Sequence, residues 1–264
     1  MNSFEFKNFY ILTVQVILAF LLSSLIIILL GASPLDVFKN IFNGAFGRPE
    51  KIVKTLLIFL PISLASLALI ITFSTGLWNI GIEGQIVLGA IGATVIAKSF
   101  LGDNALSPLY QLIIGVSFGS LWGLFCGFLK VKFNVHEIFG GLGLYFVGSG
   151  AIIYLILGPW SKEGIASTSG TDIFNEASWF PTFSDLNVPA LPILIVSIIL
   201  ILSIVFLGFT KTGLKLKATG TNPDSTEKFQ FSSGIYIFIA FAIAGGIAGL
   251  AGVFQASVFH HKLV

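Results

Sequence analysis

Seven long apolar stretches divide the chain, at residues 9–30, 52–73, 78–97, 109–129, 138–157, 190–209 and 234–259. Each approaches or exceeds the roughly 20 residues that a helix needs to cross a hydrocarbon layer about 30 Å thick. None alternates apolar and polar positions over ten residues, as the wall of a transmembrane barrel does. Helices satisfy their own backbone groups in lipid. The pattern therefore predicts an all-α, polytopic transmembrane bundle of about seven spans, forming a single membrane domain over residues 1–264. The first stretch follows Lys7 and runs for 22 residues. A signal-peptide core has about 7–15, so this one reads as an anchor that stays in the membrane.

Composition agrees with this picture and removes several function classes. The chain is 55% hydrophobic and 10% charged, with a mean hydropathy of +0.98, whereas a soluble domain carries about 25% charged residues. A net charge of +2 supplies no basic patch for nucleic acid. The single cysteine, Cys126, lies in an apolar run and reads as a small buried hydrophobe. His136, His260 and His261 lack zinc-type spacing, so neither a metal nor a cofactor is expected. No G-x-x-x-x-G-K-[ST], G-x-S-x-G or H-E-x-x-H occurs. The chain is therefore read as a non-enzyme that carries no ATPase of its own.

Positive charge does not settle the orientation by count. An inside N-terminus puts Lys7, Lys130, Lys132, Lys211, Lys215, Lys217 and Lys228 on the cytoplasmic side, and seven further basic residues outside. The dense short clusters at 130–132 and 211–228 favour that arrangement under the positive-inside rule. It leaves the 158–189 loop, with interfacial Trp160 and Trp179, outside and the 210–232 loop inside.

Small residues recur on the spans at helical spacing. Gly115, Gly119, Gly123 and Gly127 form a stripe, as do Gly89, Ala93 and Ala97, and Ala244, Ala248 and Gly252. Such stripes let helix backbones approach closely in a bilayer; a broken helix or close solute approach is the other reading.

Polar side chains at membrane depth are costly and mark either a pathway or a partner. The densest group is Gly76-Leu77-Trp78-Asn79-Ile80-Gly81-Ile82-Glu83-Gly84-Gln85. Asn79 and Glu83, four apart, are expected on one helix face, and the glycines suit a discontinuous helix lining a wet cavity. Alternatively, Glu83 sits at an interface, snorkelling or paired. Glu137 beside His136 opens the fifth span as a helix cap or a functional pair, and Tyr145 faces a cavity or packs. In the 210–232 loop, Asn222, Pro223 and Asp224 have the order of N-cap, first helical position and dipole partner. They predict a short amphipathic helix over 223–231, with a solvated basic loop as the alternative.

The Gly76–Gln85 block, followed by Gly89 and Ala90, resembles the signature of ABC-importer permease subunits for nucleosides and simple sugars, relatives of the ribose and branched-chain amino-acid permeases. The segment from Gly213-Leu214-Lys215 to Ala218-Thr219-Gly220-Thr221-Asn222-Pro223-Asp224 is similar to that family's cytoplasmic segment. So are Trp122-Gly123, the run Lys130 to Glu137, and Ala248 to Gly252 with His260-His261-Lys262-Leu263. Two departures bear on the solute: Tyr145 precedes Phe146 where the family often has asparagine, and His136 replaces a frequent asparagine. The family usually continues beyond the paired histidines, so a chain stopping at Val264 is expected to be partial.

The resemblance implies a permease in the cytoplasmic membrane that translocates a small polar solute, a nucleoside or simple sugar. It implies as partners a separate ATP-binding subunit, a second permease subunit, an extracytoplasmic solute-binding protein and membrane lipid. Asn79, Glu83, Gln85 and Tyr145 would lie along the solute path. Gly213, Lys215, Gly220, Asn222, Pro223, Asp224, Glu227 and Phe229 would couple to the ATP-binding subunit. Two alternatives need no such subunit: a stand-alone secondary transporter or channel in which Glu83 carries a proton or ion, and a non-transporting scaffold.

Overall fold

The computed structural model describes residues 3–162, 169–183, 188–222 and 232–264. It falls into two compact units, residues 1–55 and 56–264. In the first, α1 (Ser3–Leu29) is followed by α2 (Pro34–Phe46) and the opening turns of α3 (Pro49–Phe73). Helix α2 was not anticipated from hydropathy, although its start is legible. The Ser33 hydroxyl accepts from the Asp36 N–H, Pro34 occupies the first turn, and Asp36 adds an acidic group there. All three are helix-start signals. The Thr55 hydroxyl donates to the Ala45 carbonyl at 3.0 Å, tying the first turns of α3 to the end of α2.

The second unit contains the rest of α3, then α4 (Ile82–Ala97), α5 (Ser107–Phe133), α6 (Glu137–Leu157), α7 (Ala190–Phe209), α8 (Lys211–Thr221) and α9 (Ser233–Phe254). A π-helical turn, Gln255–Phe259, extends α9. Among the described residues, six helices are long and apolar enough to span a membrane, and α4 is a shorter apolar helix. The chain is thus an all-α, multi-pass membrane bundle. Large apolar side chains such as Phe146 and Ile201 point outward and exposed, as suits helices solvated by lipid.

Helices α4, α5 and α9 pack most closely, the α5 glycine stripe meeting Gly245 and Gly249 of α9. Of the expected Ala244, Ala248 and Gly252 stripe only Gly252 meets α4, and the two alanines pack against Ala68 and Ile82. A β-carbon at Gly119 would lie 2.6 Å from the Gly249 α-carbon, and one at Gly252 would lie 2.7 Å from the Ala90 nitrogen. Both are inside van der Waals contact, so only hydrogen fits between these backbones. Dispersion over such a smooth crossing replaces the hydrophobic effect, which cannot separate helix from lipid tail.

At the far end of α4 and α9, the 169–183 segment is clamped down. Thr171 N–H donates to the Leu263 carbonyl (2.9 Å) and Phe174 N–H to the His261 carbonyl (2.7 Å). The Trp179 ring stacks on His261 at 4.2 Å. Beneath it lies a fully buried polar cluster. Gln111 donates to the Ser107 hydroxyl (3.1 Å) and the Ser178 carbonyl (2.9 Å), and accepts from Ser257 on the π-helical turn.

Two local expectations change. The third span was expected over 78–97, with Asn79 and Glu83 on one helix face. The helix instead starts at Ile82, so Asn79 lies in a non-helical segment and shares no face with Glu83. At 1.5 Å per residue the 16-residue α4 is only about 24 Å long, short of a full crossing. The 210–232 loop also holds a helix that was not expected, α8, started by the Thr210 hydroxyl accepting from Gly213 N–H. The helix expected over 223–231 lies outside the described residues.

Candidate solute-translocation site

The break before α4 builds the site. Helix α3 ends at Phe73, and the Thr75 hydroxyl bonds back to the Thr72 carbonyl at 2.7 Å. The chain then turns at Gly76, whose φ of +75° lies in the left-handed region that favours glycine. Residues 77–79 have no regular structure, and Ile80–Gly81 turn into α4. The freed backbone does not leave Asn79 loose. Its side-chain amide donates to the Gln85 carbonyl oxygen (3.1 Å) and accepts from the Gln85 amide nitrogen (3.2 Å). Both side chains are buried, Asn79 at 2% and Gln85 at 0% exposure. Each thus satisfies the other where an unpaired amide would be costly. This reciprocal pair pins the break to the first turn of α4.

The start of α4 is recessed into the bundle. A β-carbon at Gly81 would lie 2.9 Å from the Gly141 α-carbon, and one at Gly84 would lie 3.2 Å from the Tyr145 α-carbon. Tyr145 is two turns into α6, so Gly84 lies about 12 Å in from that helix's first residue. A groove of about 500 Å³ opens here, lined by Phe73, Trp78, Asn79, Glu83, Leu142 and Tyr145 among others. Trp78 is 61% and Phe73 48% exposed, and their rings stand 5.8 Å apart. Glu83 is exposed, and among the described residues no ion pair involves it. The groove therefore combines aromatic walls with one carboxylate, inside a membrane-type bundle.

Of the four residues expected along the path, three line this groove: Asn79, Glu83 and Tyr145. Gln85 does not; it lies behind the wall, bonded to Asn79, with its amide 4.0 Å from the Cys126 sulfur. Glu137 also lies away from the groove. Its carboxylate pairs with Lys130 at 2.8 Å, and the cap of α6 is the His136 ring nitrogen, which accepts from Ile138 N–H at 3.4 Å.

The expected coupling residues divide between α8 and the stretch after it. Gly213 is buried in the first turn of α8, where a β-carbon would lie 2.8 Å from the Leu207 α-carbon. Lys215 sits 5.4 Å from the centre of the Tyr236 ring. Gly220 lies on the turn at Ser74–Gly76. Asn222 ends α8 in an extended conformation, its N–H donating to the Ala218 carbonyl at 3.0 Å. Pro223, Asp224, Glu227 and Phe229 lie outside the described residues.

Sequence reasoning passed over two features. The buried Gln111–Ser257 cluster was signalled by intramembrane polar residues that were not weighed. Leu216, fully buried against Ile71 and Ala240, was hidden in a segment too basic to register as packed.

A short, recessed helix entered through a polar glycine break, inside an otherwise apolar bundle, is a feature with which membrane transporters line solute sites. Residues 51–264 match the family described as the permease component of branched-chain amino acid transport systems, and the chain belongs to that family. It is 26% identical to the nucleoside ABC transporter permease protein NupB of Lactococcus lactis, over 91% of this chain and 68% of that protein. It is 26% identical to the guanosine ABC transporter permease protein NupP of Bacillus subtilis, over 92% and 70%. The glucose ABC transporter permease protein TsgB13 of Haloferax volcanii is 29% identical, over 92% and 67%. No solved structure matches. The chain is an ABC transporter permease subunit and is not itself catalytic. In general terms, the family implies an ATP-binding subunit and a solute-binding protein as partners.

Proposed function

We propose that this permease imports a nucleoside through the groove beside α4. The observation that carries the reading is the pairing of exposed Trp78 and Phe73 with the Glu83 carboxylate around one recess of about 500 Å³. A nucleobase stacks on aromatic rings, and ribose hydroxyls donate charge-assisted hydrogen bonds to a carboxylate. Similarity to permeases named for nucleosides and guanosine points the same way; a simple sugar is the second candidate, since a third relative is named for glucose. Asn79 and Tyr145 complete the lining, and Gln85 acts by holding Asn79.

ATP hydrolysis belongs to a separate subunit, because this chain has no phosphate-binding loop motif. That subunit engages the 210–232 loop, and ATP binding biases the bundle between inward- and outward-facing states. An extracytoplasmic binding protein delivers the solute. A second permease subunit, identical or related, covers the open side of the groove. The N-terminus lies in the cytoplasm; the basic groups dense in the last turn of α5 (Lys130, Lys132) and along α8 (Lys211, Lys215, Lys217) support this under the positive-inside rule.

Affinity purification of the tagged chain should recover a stoichiometric ATP-binding subunit. Proteoliposomes carrying that complex should accumulate labelled nucleoside only with ATP and binding protein, with unlabelled glucose failing to compete. Uptake that persists without the subunit and follows a proton gradient would overturn the importer in favour of a Glu83-coupled secondary transporter.

A further inference from the structure

Helix α8 touches the solute groove's supporting turn backbone to backbone, with no side chain between them. A β-carbon on Gly220 would lie 2.5 Å from the Ser74 carbonyl oxygen and 2.7 Å from the Gly76 nitrogen. From the other side, one on Gly76 would lie 3.1 Å from the Gly220 carbonyl oxygen. The two elements therefore leave no room for a β-carbon on Gly220 between them. Behind this contact α8 is anchored: Leu216 is fully buried against Ile71 and Ala240, and Thr219 is 2% exposed. Ahead of it, the turn leads two residues on to Trp78 on the groove wall and three residues on to Asn79, which is bonded to Gln85 on α4.

We propose that the Gly76–Gly220 contact is the point where displacement of α8 enters the solute groove, and that these two glycines are positioning residues for translocation. The proposal rests on the importer reading and adds the route of coupling to it. Flexible side chains at an interface absorb small shifts by changing rotamer, whereas two abutting backbones cannot. A movement of α8 is thus handed directly to the Ser74–Gly76 turn. Because that turn sits at a break rather than inside a helix, the shift swings Trp78 and Asn79 instead of being resisted by a hydrogen-bonded ladder. The amide pair then carries it into the first turn of α4, where Glu83 stands.

The test uses the complete transporter: permease, ATP-binding subunit and binding protein in proteoliposomes. Gly220→Ala should lose uptake at least tenfold, and Gly76→Asn, which lies outside the loop that meets the ATP-binding subunit, should do so while retaining that subunit on purification and hydrolysing ATP within twofold of wild type. Hydrogen exchange should show amides of residues 77–81 responding to a non-hydrolysable ATP analogue in wild type and no longer responding in Gly220→Ala. Leu216→Ala loosens the seat of α8 without touching the contact; it should lower the melting temperature while the response at 77–81 persists.

Wild-type uptake by Gly220→Ala, or survival of the 77–81 response in it, would overturn the proposal. Should that variant fail to fold, Gly76→Asn makes the same test, since asparagine tolerates the left-handed turn and still inserts a β-carbon. Wild type alone also decides: amides of 211–221 responding while 77–81 stay unchanged would overturn it. If wild type lacks an ATP-binding subunit altogether, this route and the importer reading both fall. If the subunit is present and coupled but 77–81 are silent, only the route does.

Discussion

Glycine does opposite work at the α5–α9 crossing and at the break before α4. At the crossing, Gly119 and Gly249 sit inside uninterrupted helices whose backbone groups are already bonded. Their missing side chains only bring two cylinders together. At the break, Gly76 and Gly81 stand outside any helix. There the close approach, to Gly220 and Gly141, accompanies freed backbone, a buried amide pair and an exposed carboxylate. The same residue type closes the bundle where the hydrogen-bond ladder is complete and opens it where the ladder stops.

The crossing should be the least forgiving place in the molecule. Gly119→Leu has no room for its side chain against Gly249, and overpacking of this kind costs about 1–3 kcal/mol or more. Size-exclusion chromatography in detergent should show loss of the monodisperse protein, with little recoverable for assay. A monodisperse variant with an unchanged melting temperature would show that the two helices are not held by this seam.

Glu83→Gln should behave in the contrary way. The side chain is exposed and the variant nearly isosteric, so the melting temperature should stay within a degree or two. Loss of charge-assisted bonds to a solute, about 1.5–3 kcal/mol, should lower uptake roughly 10- to 100-fold. Unimpaired uptake would remove Glu83 from the path and leave the groove as packing.

Asn79→Leu and Gln85→Leu should fall between these extremes. Each single change strands a buried amide and should cost about 1–3 kcal/mol of stability, while the double change strands neither and should cost less than the sum. Additive losses in thermal unfolding would mean that the two amides do not act as a pair.

The smallest effect is expected at the other end of the bundle. Burial pushes the His261 imidazole below its ordinary value, with His260 adding to this against an opposing backbone contact at Ser257. Its Nδ1 is buried with no hydrogen-bond partner among the described residues. The folded state therefore binds its proton less readily than the unfolded one. The associated stability is present above the unfolded value of about 6.5 and is lost as pH falls through it and toward the depressed folded value. Since Trp179 stacks on this ring, its fluorescence should change modestly on acidification below about 6.5, and the change should vanish in His261→Gln. A signal independent of residue 261 would place the titration elsewhere.

Hydropathy by itself determined the all-α bundle, the approximate spans and the place where one of them is interrupted. Those properties are sums over local composition: an apolar run long enough to cross lipid has few alternatives to a helix, and glycines interleaved with Asn79 and Glu83 weaken one wherever they occur. Tertiary structure decided how the interruption is used. Asn79 turns inward to Gln85 while Glu83 stays exposed because Gly141 and Gly220, 60 and 139 residues beyond Gly81, fix the two ends of the break. Helix α8 escaped a hydropathy reading for the same reason. Its basic sequence is unremarkable alone, and Leu216 is buried only because Ile71 and Ala240 arrive from distant parts of the chain. Local sequence sets where a membrane helix can break; the partners that meet the break set which side chains it buries and which it offers to a solute.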